Sequence, residues 1–212
     1  MNALNRTALA VQCPAPCGLS CAWCRTPNHG EGNPEKVLTM VKGLMAEGGV
    51  GELYLTANGT PSKATIFTPL VDEAMNLGIP VAVLCNDADS VRKGLVRVEV
   101  SLNPYTRKGA ELAIAKAKSL NIPLVISWVD TGIMPLDPRA IAEQWDADGV
   151  IVRALQAEGR SHKSAGQTKL WHRQGVHLGH FPVPCYRELE GFGQPVISVN
   201  HWGDIVPHLG GN

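Results

Sequence analysis

The chain has 212 residues, 44% of them hydrophobic, which is enough for one sizeable core. Its 19 basic and 19 acidic residues balance, which argues against strong non-specific binding to nucleic acid. No stretch stays apolar for long enough to span a membrane and no targeting peptide is recognisable, so we expect a cytoplasmic globular protein.

Glycine and proline residues divide the chain into short elements that alternate between strand and helix. The apolar runs predict strands at 7–12, 52–57, 80–85, 96–101, 124–129 and 149–153. Helices are predicted at 34–47, 62–77, 106–121 and 138–145, with one short helical turn after the third strand. Strands rich in Val, Ile and Leu that are separated by helices predict an α/β fold with a parallel sheet. An open doubly wound sheet and a barrel both fit this order.

Three cysteines follow the first predicted strand, with the spacing C-x3-C-x2-C: Cys17, Cys21 and Cys24. Three thiolates this close together can ligate three irons of a [4Fe-4S] cluster and leave the fourth iron open to a small molecule. A zinc site is the alternative, although zinc ribbons usually split their ligands into two separated pairs and no second pair lies downstream. A disulfide framework fits less well in a long chain with few cysteines. Cys13 is expected to end the first strand, with a ligand role as its alternative.

This motif, with the aromatic Trp23 just before its last cysteine, resembles the signature of the radical SAM superfamily. The resemblance implies a partial (βα)6 TIM-like barrel that covers residues 1–155, with the cluster loop after the first strand. It implies that the open iron binds S-adenosylmethionine (SAM). One electron then cleaves SAM to methionine and a 5′-deoxyadenosyl radical, and an external flavodoxin- or ferredoxin-like protein supplies that electron. By analogy with full barrels, the active site lies at the carboxyl ends of the strands.

The resemblance also implies contacts to SAM after the second strand. Family members commonly carry Gly-Gly-Glu-Pro or Asn-Gly-Glu-Pro there, and the backbone of that turn holds the SAM amino group. This chain has Asn58, Gly59, Thr60 and Pro61 at the same place, so Thr60 replaces the expected acid. Taken alone, Asn-Gly-Thr-Pro is an ordinary turn.

Four further residues are implied to contact SAM. Ser101 and Asn103 at the end of the fourth strand would hold the ribose, because hydroxyl and amide groups suit a sugar diol. The alternative is that both residues only end the strand and cap the next turn. The backbone of Trp23 would contact the adenine edge, and Arg153 at the end of the sixth strand would reach the SAM carboxylate, unless it is a surface arginine.

Residues 156–212 are predicted to form a C-terminal extension that packs on the core within one domain. Its first part carries basic side chains and an aromatic residue, namely Arg160, Lys163, Lys169, Trp171 and Arg173. Such a segment could contact phosphates and stack on a base, and the alternative is a solvated surface.

The tail predicts a β-hairpin, with strands at 196–199 and 204–206 around a turn at 200–203. It is similar to the C-terminal hairpin of radical SAM proteins that carry an auxiliary-cluster extension. Such extensions usually need several more cysteines, and only Cys185 remains, so a second cluster is not expected. Cys185 is either a buried structural cysteine or a hydrogen-atom donor to a substrate radical.

The function implied by the resemblance is hydrogen abstraction from a substrate carbon. Among the candidate reactions, modification or isomerisation of a nucleotide or nucleic-acid base ranks first, with a phage-type modified thymine as one possibility. A peptide- or protein-modifying enzyme or a glycyl-radical activase comes second, and a deazapurine-type reaction third. A non-catalytic iron–sulfur electron-transfer protein is the alternative of another class, supported by Thr60 in place of the acid.

Overall fold

The computed structural model describes residues 7–19, 21, 30–130, 138–154 and 196–206. Eight strands in these ranges form one sheet, in the order β6-β5-β4-β3-β2-β1-β7-β8. The strands are β1 (Thr7–Cys13), β2 (Val50–Ala57), β3 (Val81–Cys85), β4 (Arg97–Leu102), β5 (Leu124–Asp130), β6 (Gly149–Ala154), β7 (Val196–Val199) and β8 (Ile205–Val206). Every neighbouring pair is parallel except β7 and β8. The predicted α/β fold with a largely parallel sheet is therefore confirmed.

The described residues include four α-helices between successive strands: α1 (Pro34–Ala46), α2 (Phe67–Asn76), α3 (Arg107–Ser119) and α4 (Pro138–Trp145). Helix α1 begins as its sequence predicts, because Pro34 occupies the first turn and the Asn33 side chain accepts a hydrogen bond from the Lys36 N–H at 3.0 Å. No helix in the described ranges has the length and apolar character needed to cross a bilayer.

One predicted helix is shorter than expected. The sequence predicted a helix at 62–77, whereas Pro61–Lys63 forms a short 3₁₀ turn and α2 starts only at Phe67. Pro69 explains the later start. Proline has no N–H to donate and is tolerated only in the first turn of a helix, so an earlier start would have placed it in the helix interior.

The core lies between the sheet and the helices. Alternate residues of the central strands, such as Leu9, Leu53 and Val98, belong to one buried apolar cluster with the helices. The residues between them lie on the opposite side of the sheet, which we call the inner face. That face is partly apolar, with Ala10 and Tyr54 in a small cluster of their own. It also carries buried polar residues, among them Arg97, Glu99, Ser127 and Ser198.

Strand β7 extends the main sheet. It pairs with β1 in parallel, with Ala8 opposite Val196 and Val11 opposite Val199. Parallel strands end at the same edge of a sheet, so the turn at 200–203 lies at the carboxyl edge next to the end of β1. The sequence predicted the β7–β8 hairpin, which is confirmed, but it did not predict this partner for β7.

Candidate cluster and cofactor site

Residues 14–33, between β1 and α1, leave the carboxyl edge of the sheet and carry the cysteine motif; we call this segment the cysteine loop. Cys17 and Cys21 are both partly accessible, and the Leu19 N–H lies 3.4 Å from Cys17 Sγ. Cys24 and Trp23 lie outside the described residues. In the ranges that are described, no three metal-binding side chains come together. The donor chemistry, accessible thiols on a loop, fits an iron–sulfur cluster.

The other two described cysteines differ sharply from Cys17 and Cys21. Cys13 ends β1 with its side chain in the apolar core, and burial raises the pKa of its thiol to about 12. Burial, followed by the negative charge of Asp87, also raises the pKa of Cys85. Both side chains lie in the buried apolar core, which favours a structural role for them.

Asn58 joins the two ends of the cysteine loop. Its side-chain Oδ1 accepts a hydrogen bond from the Ala15 N–H at 2.8 Å, and its Nδ2 donates to the Glu31 carbonyl at 2.8 Å. Its backbone N–H also donates to the Cys13 carbonyl at 3.1 Å. Asn58 is buried, so each of these contacts is shielded from competing water. One side chain from the end of β2 thus fixes the entry and the exit of the loop.

Gly59 and Thr60 continue this contact along the loop. The Thr60 N–H donates to the Pro16 carbonyl at 3.1 Å. A Cβ atom at Gly59 would overlap the carbonyl oxygens of Ala15 and Pro16, so the two backbones approach in a way that only glycine permits. The turn singled out in the sequence is therefore packed against the cysteine loop, while its contact to the SAM amino group stays a prediction.

At the end of β4, the Asn103 side chain caps the turn before α3. Its Oδ1 accepts hydrogen bonds from the backbone N–H groups of Tyr105 and Thr106, at 2.9 and 3.1 Å. The Thr106 hydroxyl donates to the Ser101 carbonyl at 2.7 Å. Ser101 itself is half-buried and lies opposite Ser127 of β5. The Asn103 oxygen is thus engaged in the turn, and the ribose contact remains a prediction for the Ser101 hydroxyl and the Asn103 amide nitrogen.

Replacing Asn103 with Ala should lower the free energy of unfolding by about 1 kcal/mol, because the Tyr105 N–H loses its acceptor and the Thr106 N–H keeps only the Asn103 backbone carbonyl. Asn103→Asp should recover most of this loss, since a carboxylate accepts the same two bonds. Ser101→Ala should stay within about 0.5 kcal/mol. Urea denaturation measures all three. Equal stability of the Ala and Asp variants at position 103 would contradict the capping role.

Sequence reasoning missed a row of polar side chains on the inner face. The Tyr54 hydroxyl donates to Glu99 Oε2 at 2.8 Å, and Glu99 is 1% exposed. One strand layer nearer the amino ends, Arg97 pairs with Glu52 at 2.5 Å, and among the described residues nothing accepts from the buried Arg97 Nε. The signal was present as a polar residue at every second position of β4. This alternation was not used to predict a polar face.

Several predicted site residues fall where little or nothing is described. Arg153 lies in β6 in register with Val129, and its contact to the SAM carboxylate stays a prediction. The other residues lie outside the described ranges, namely Arg160, Lys163, Lys169, Trp171, Arg173 and Cys185.

His201 is a second feature that the sequence did not reveal. It lies in the turn between β7 and β8, and its Nδ1 is 2.7 Å from Oε1 of Gln12. An amide oxygen can only accept, so Nδ1 carries the hydrogen. Burial lowers the pKa of His201 below its ordinary value of 6.5, and the Glu31 carboxylate opposes this shift.

The His201 pKa gives a prediction for stability against pH. The folded protein binds this proton less readily than the unfolded chain, so the free energy of unfolding should fall as the pH drops below 6.5. His201→Asn cannot titrate, and this variant should lose that part of the pH dependence. Urea denaturation at about pH 8 and about pH 5.5 measures the difference. The same slope in both proteins would show that His201 titrates normally.

Several solved proteins are similar to this chain in structure. No family model matches the sequence, and no curated protein is detectably similar to it. Streptococcus suis SuiB bound to its precursor peptide SuiA matches with a TM-score of 0.60 and 16% identity, over 97% of this chain and 60% of SuiB. The same enzyme bound to S-adenosylmethionine matches with a TM-score of 0.58 and 16% identity, over 97% of this chain and 61% of SuiB.

Native anSMEcpe with bound AdoMet and Cp18Cys peptide matches with a TM-score of 0.62 and 14% identity, over 96% of this chain and 74% of that protein. The chain thus spans about 60% of the length of SuiB. Both proteins are radical SAM enzymes built on partial barrels. The chain shares the α/β partial-barrel fold of SuiB and anSMEcpe, and its cysteine motif follows the first strand of that fold.

Proposed function

We propose that the protein is a radical SAM enzyme in which Cys17, Cys21 and Cys24 hold a [4Fe-4S] cluster. When bound, the cluster supplies the electron that cleaves SAM and yields a 5′-deoxyadenosyl radical, which abstracts hydrogen from a substrate carbon. The observation that carries the proposal is the attachment of the cysteine loop to the Asn58–Thr60 turn at the carboxyl edge of a parallel sheet.

In this proposal the protein's own residues bind and orient. Cys17 and Cys21 are accessible to metal, whereas Cys13 and Cys85 are buried in the core, which leaves the ligand role to the motif. Asn58 holds both ends of the loop, so the points at which the loop begins and ends are fixed by the protein itself. The cleavage needs an external one-electron donor, for which we propose a flavodoxin- or ferredoxin-like protein.

The first substrate class that we propose is a nucleotide or a nucleic-acid base, with a modified thymine as one possibility. Its support is the basic segment at 160–173, in which Trp171 offers a ring for stacking. The second class is a peptide. Its support is that SuiB and anSMEcpe, which share the fold, were each solved with a peptide.

SAM cleavage is the first test. Anaerobically reconstituted protein, reduced with dithionite and mixed with SAM, should release 5′-deoxyadenosine. Protein that binds a cluster but neither binds nor cleaves SAM would overturn the proposal in favour of an electron-transfer protein.

Substrate class is the second test. Replacing Lys163, Lys169 and Arg173 with Ala together should weaken binding of a nucleotide or single-stranded oligonucleotide and flatten its salt dependence, because fewer phosphate contacts release fewer counterions. Trp171→Ala should cost about 1–3 kcal/mol of binding if the ring stacks on a base. SAM cleavage without substrate should not change. Normal nucleotide binding by the triple variant at every salt concentration would move the peptide class to first place.

A further inference from the structure

One residue of the turn between β7 and β8 contacts both the end of β1, after which the cysteine loop begins, and the last residue of that loop. The His201 ring donates from Nδ1 to the side chain of Gln12, the second-last residue of β1. The His201 carbonyl accepts a hydrogen bond from the Asn33 N–H at 2.9 Å, and Asn33 is the N-cap of α1. Gln12 lies just before the loop and Asn33 is its last residue, so His201 spans the loop's entry and exit.

Close packing supports this bridge. A Cβ at Gly32 would overlap the His201 carbonyl oxygen and would lie 2.7 Å from Pro14 Cβ. The φ angle of Gly32 is 142°, which other residues rarely adopt. The first residue of the loop, its second-last residue and the C-terminal turn therefore meet with no room for a side chain at position 32.

The same turn is also seated on the first turn of α1. A Cβ at Gly203 would lie 2.8 Å from the Lys36 side chain and 3.0 Å from the Val37 backbone nitrogen. Lys36 Nζ lies 2.6 Å from Asp204 Oδ1, and this hydrogen bond lowers the pKa of the Asp204 carboxyl. Both charged groups are exposed, so this ion pair adds little energy by itself. It does align the turn on the helix.

Four hydrogen bonds within residues 200–204 hold the turn together. Asn200 Oδ1 accepts hydrogen bonds from the N–H groups of Trp202 and Asp204, at 3.0 and 2.9 Å. The Gly203 N–H donates to the Asn200 carbonyl, and the Asn200 N–H donates to the Asp204 carbonyl. A turn with this many internal bonds can act as a fixed support for what it touches.

We propose that His201 is a positioning residue for the cysteine loop, which makes the C-terminal turn an integral part of the cluster site. Closing a loop costs entropy that grows with its length, and a contact across both loop ends removes part of that freedom. Asn58 bridges the loop from β2, and His201 makes a second bridge from the far end of the chain. This inference rests on the proposed function in one respect: the proposed function assigns the cluster to the cysteine loop.

The test compares three variants with wild type. His201→Ala removes the ring. His201→Asn keeps a side-chain N–H near the position of Nδ1, so it can still donate to Gln12. Ile205→Ala is the control, because Ile205 follows the same turn in β8 and is 59% exposed, whereas the Trp202 ring lies 5.5 Å from the His201 ring and would disturb it.

The first readout is the rate at which reconstituted protein loses iron to a chelator, with the electron paramagnetic resonance spectrum of the reduced cluster recorded alongside. His201→Ala should lose iron about fivefold faster, the factor that corresponds to one net hydrogen bond, and should give a shifted spectrum. His201→Asn should return to near the wild-type rate and spectrum, and Ile205→Ala should match wild type.

The second readout needs no cluster. Hydrogen exchange of the metal-free protein should be faster in His201→Ala at residues 14–19 and 30–33 and unchanged in the strands. Unchanged exchange at these residues, or unchanged iron loss and spectrum in a folded His201→Ala protein, would overturn the inference. Failure of the proposed function would look different. Wild-type protein would then hold no iron, while the exchange comparison would still decide the role of His201.

Discussion

Replacing Cys21 with Ala is expected to abolish the cluster and, with it, SAM cleavage. Wild-type protein reconstituted without oxygen should hold about four irons per chain, together with sulfide, whereas the variant should hold close to none. The reason is that three thiolates leave no spare ligand: a cluster that has lost one of them is held by two. Iron and sulfide analysis and the visible absorption of the thiolate-to-iron bands measure the effect. Cys17→Ala and Cys24→Ala should behave in the same way.

Cys85→Ala is the matched control, because it also removes a thiol. Cys85 is buried in the core beside β4 and keeps its proton, so iron content and SAM cleavage should match wild type. An intact cluster in Cys21→Ala would overturn the ligand assignment. Zinc at about one ion per chain, in place of iron and sulfide, would instead support a zinc site.

The fold was predictable because its signals are local. Each apolar run rich in β-branched residues became a strand of the parallel sheet, and α4 (Pro138–Trp145) has the predicted bounds. The N-terminus of α1 followed from Pro34 and its Asn33 cap. Helix α2 was mispredicted at its start because the restriction imposed by Pro69 was overlooked.

The pairing of β7 with β1 was not predictable in the same way. These strands lie at opposite ends of the chain, and periodicity describes a strand but not its neighbour. The hairpin formed by β7 and β8 was visible because its turn is short and local.

In the candidate site too, local features were predicted from the sequence and long-range contacts were not. The cysteine spacing is local and was read directly, as was the turn Asn58-Gly59-Thr60-Pro61. The structural role of Asn58 could not be predicted, because its side chain contacts Ala15 and Glu31, which are distant from it in the sequence. Gln12 and His201 lie even farther apart along the chain, and no local sequence pattern indicates their contact.

The polar row on the inner face was not predicted, although the sequence of β4 contains a pattern that indicates it. Arg97 and Glu99 alternate with valines in β4 and could have been read as facing a polar interior. Their partners, Glu52 and Tyr54, lie on β2, and no pattern within one strand identifies partners on another.

Replacing Gly59 with Ala is expected to damage the cluster site without touching a cysteine. The added Cβ would overlap the carbonyl oxygens of Ala15 and Pro16, which are backbone atoms and cannot rotate away. The loop must shift, and overpacking of this kind costs about 1–3 kcal/mol. The hydrogen bond from the Thr60 N–H to the Pro16 carbonyl should be lost as well, for about 1 kcal/mol more.

Gly18→Ala is the matched control for Gly59→Ala, because Gly18 lies in the same cysteine loop and a Cβ there would meet no atom within 4 Å. Gly59→Ala should lower the urea midpoint and the iron content after reconstitution, whereas Gly18→Ala should leave both near wild type. The comparison separates the contact between the turn and the loop from a general need for glycine in that loop. If Gly59→Ala retained full iron content and SAM cleavage, the turn would not be what positions the cysteine loop. The proposed function would then lose the observation that carries it, even with the cysteine assignment intact.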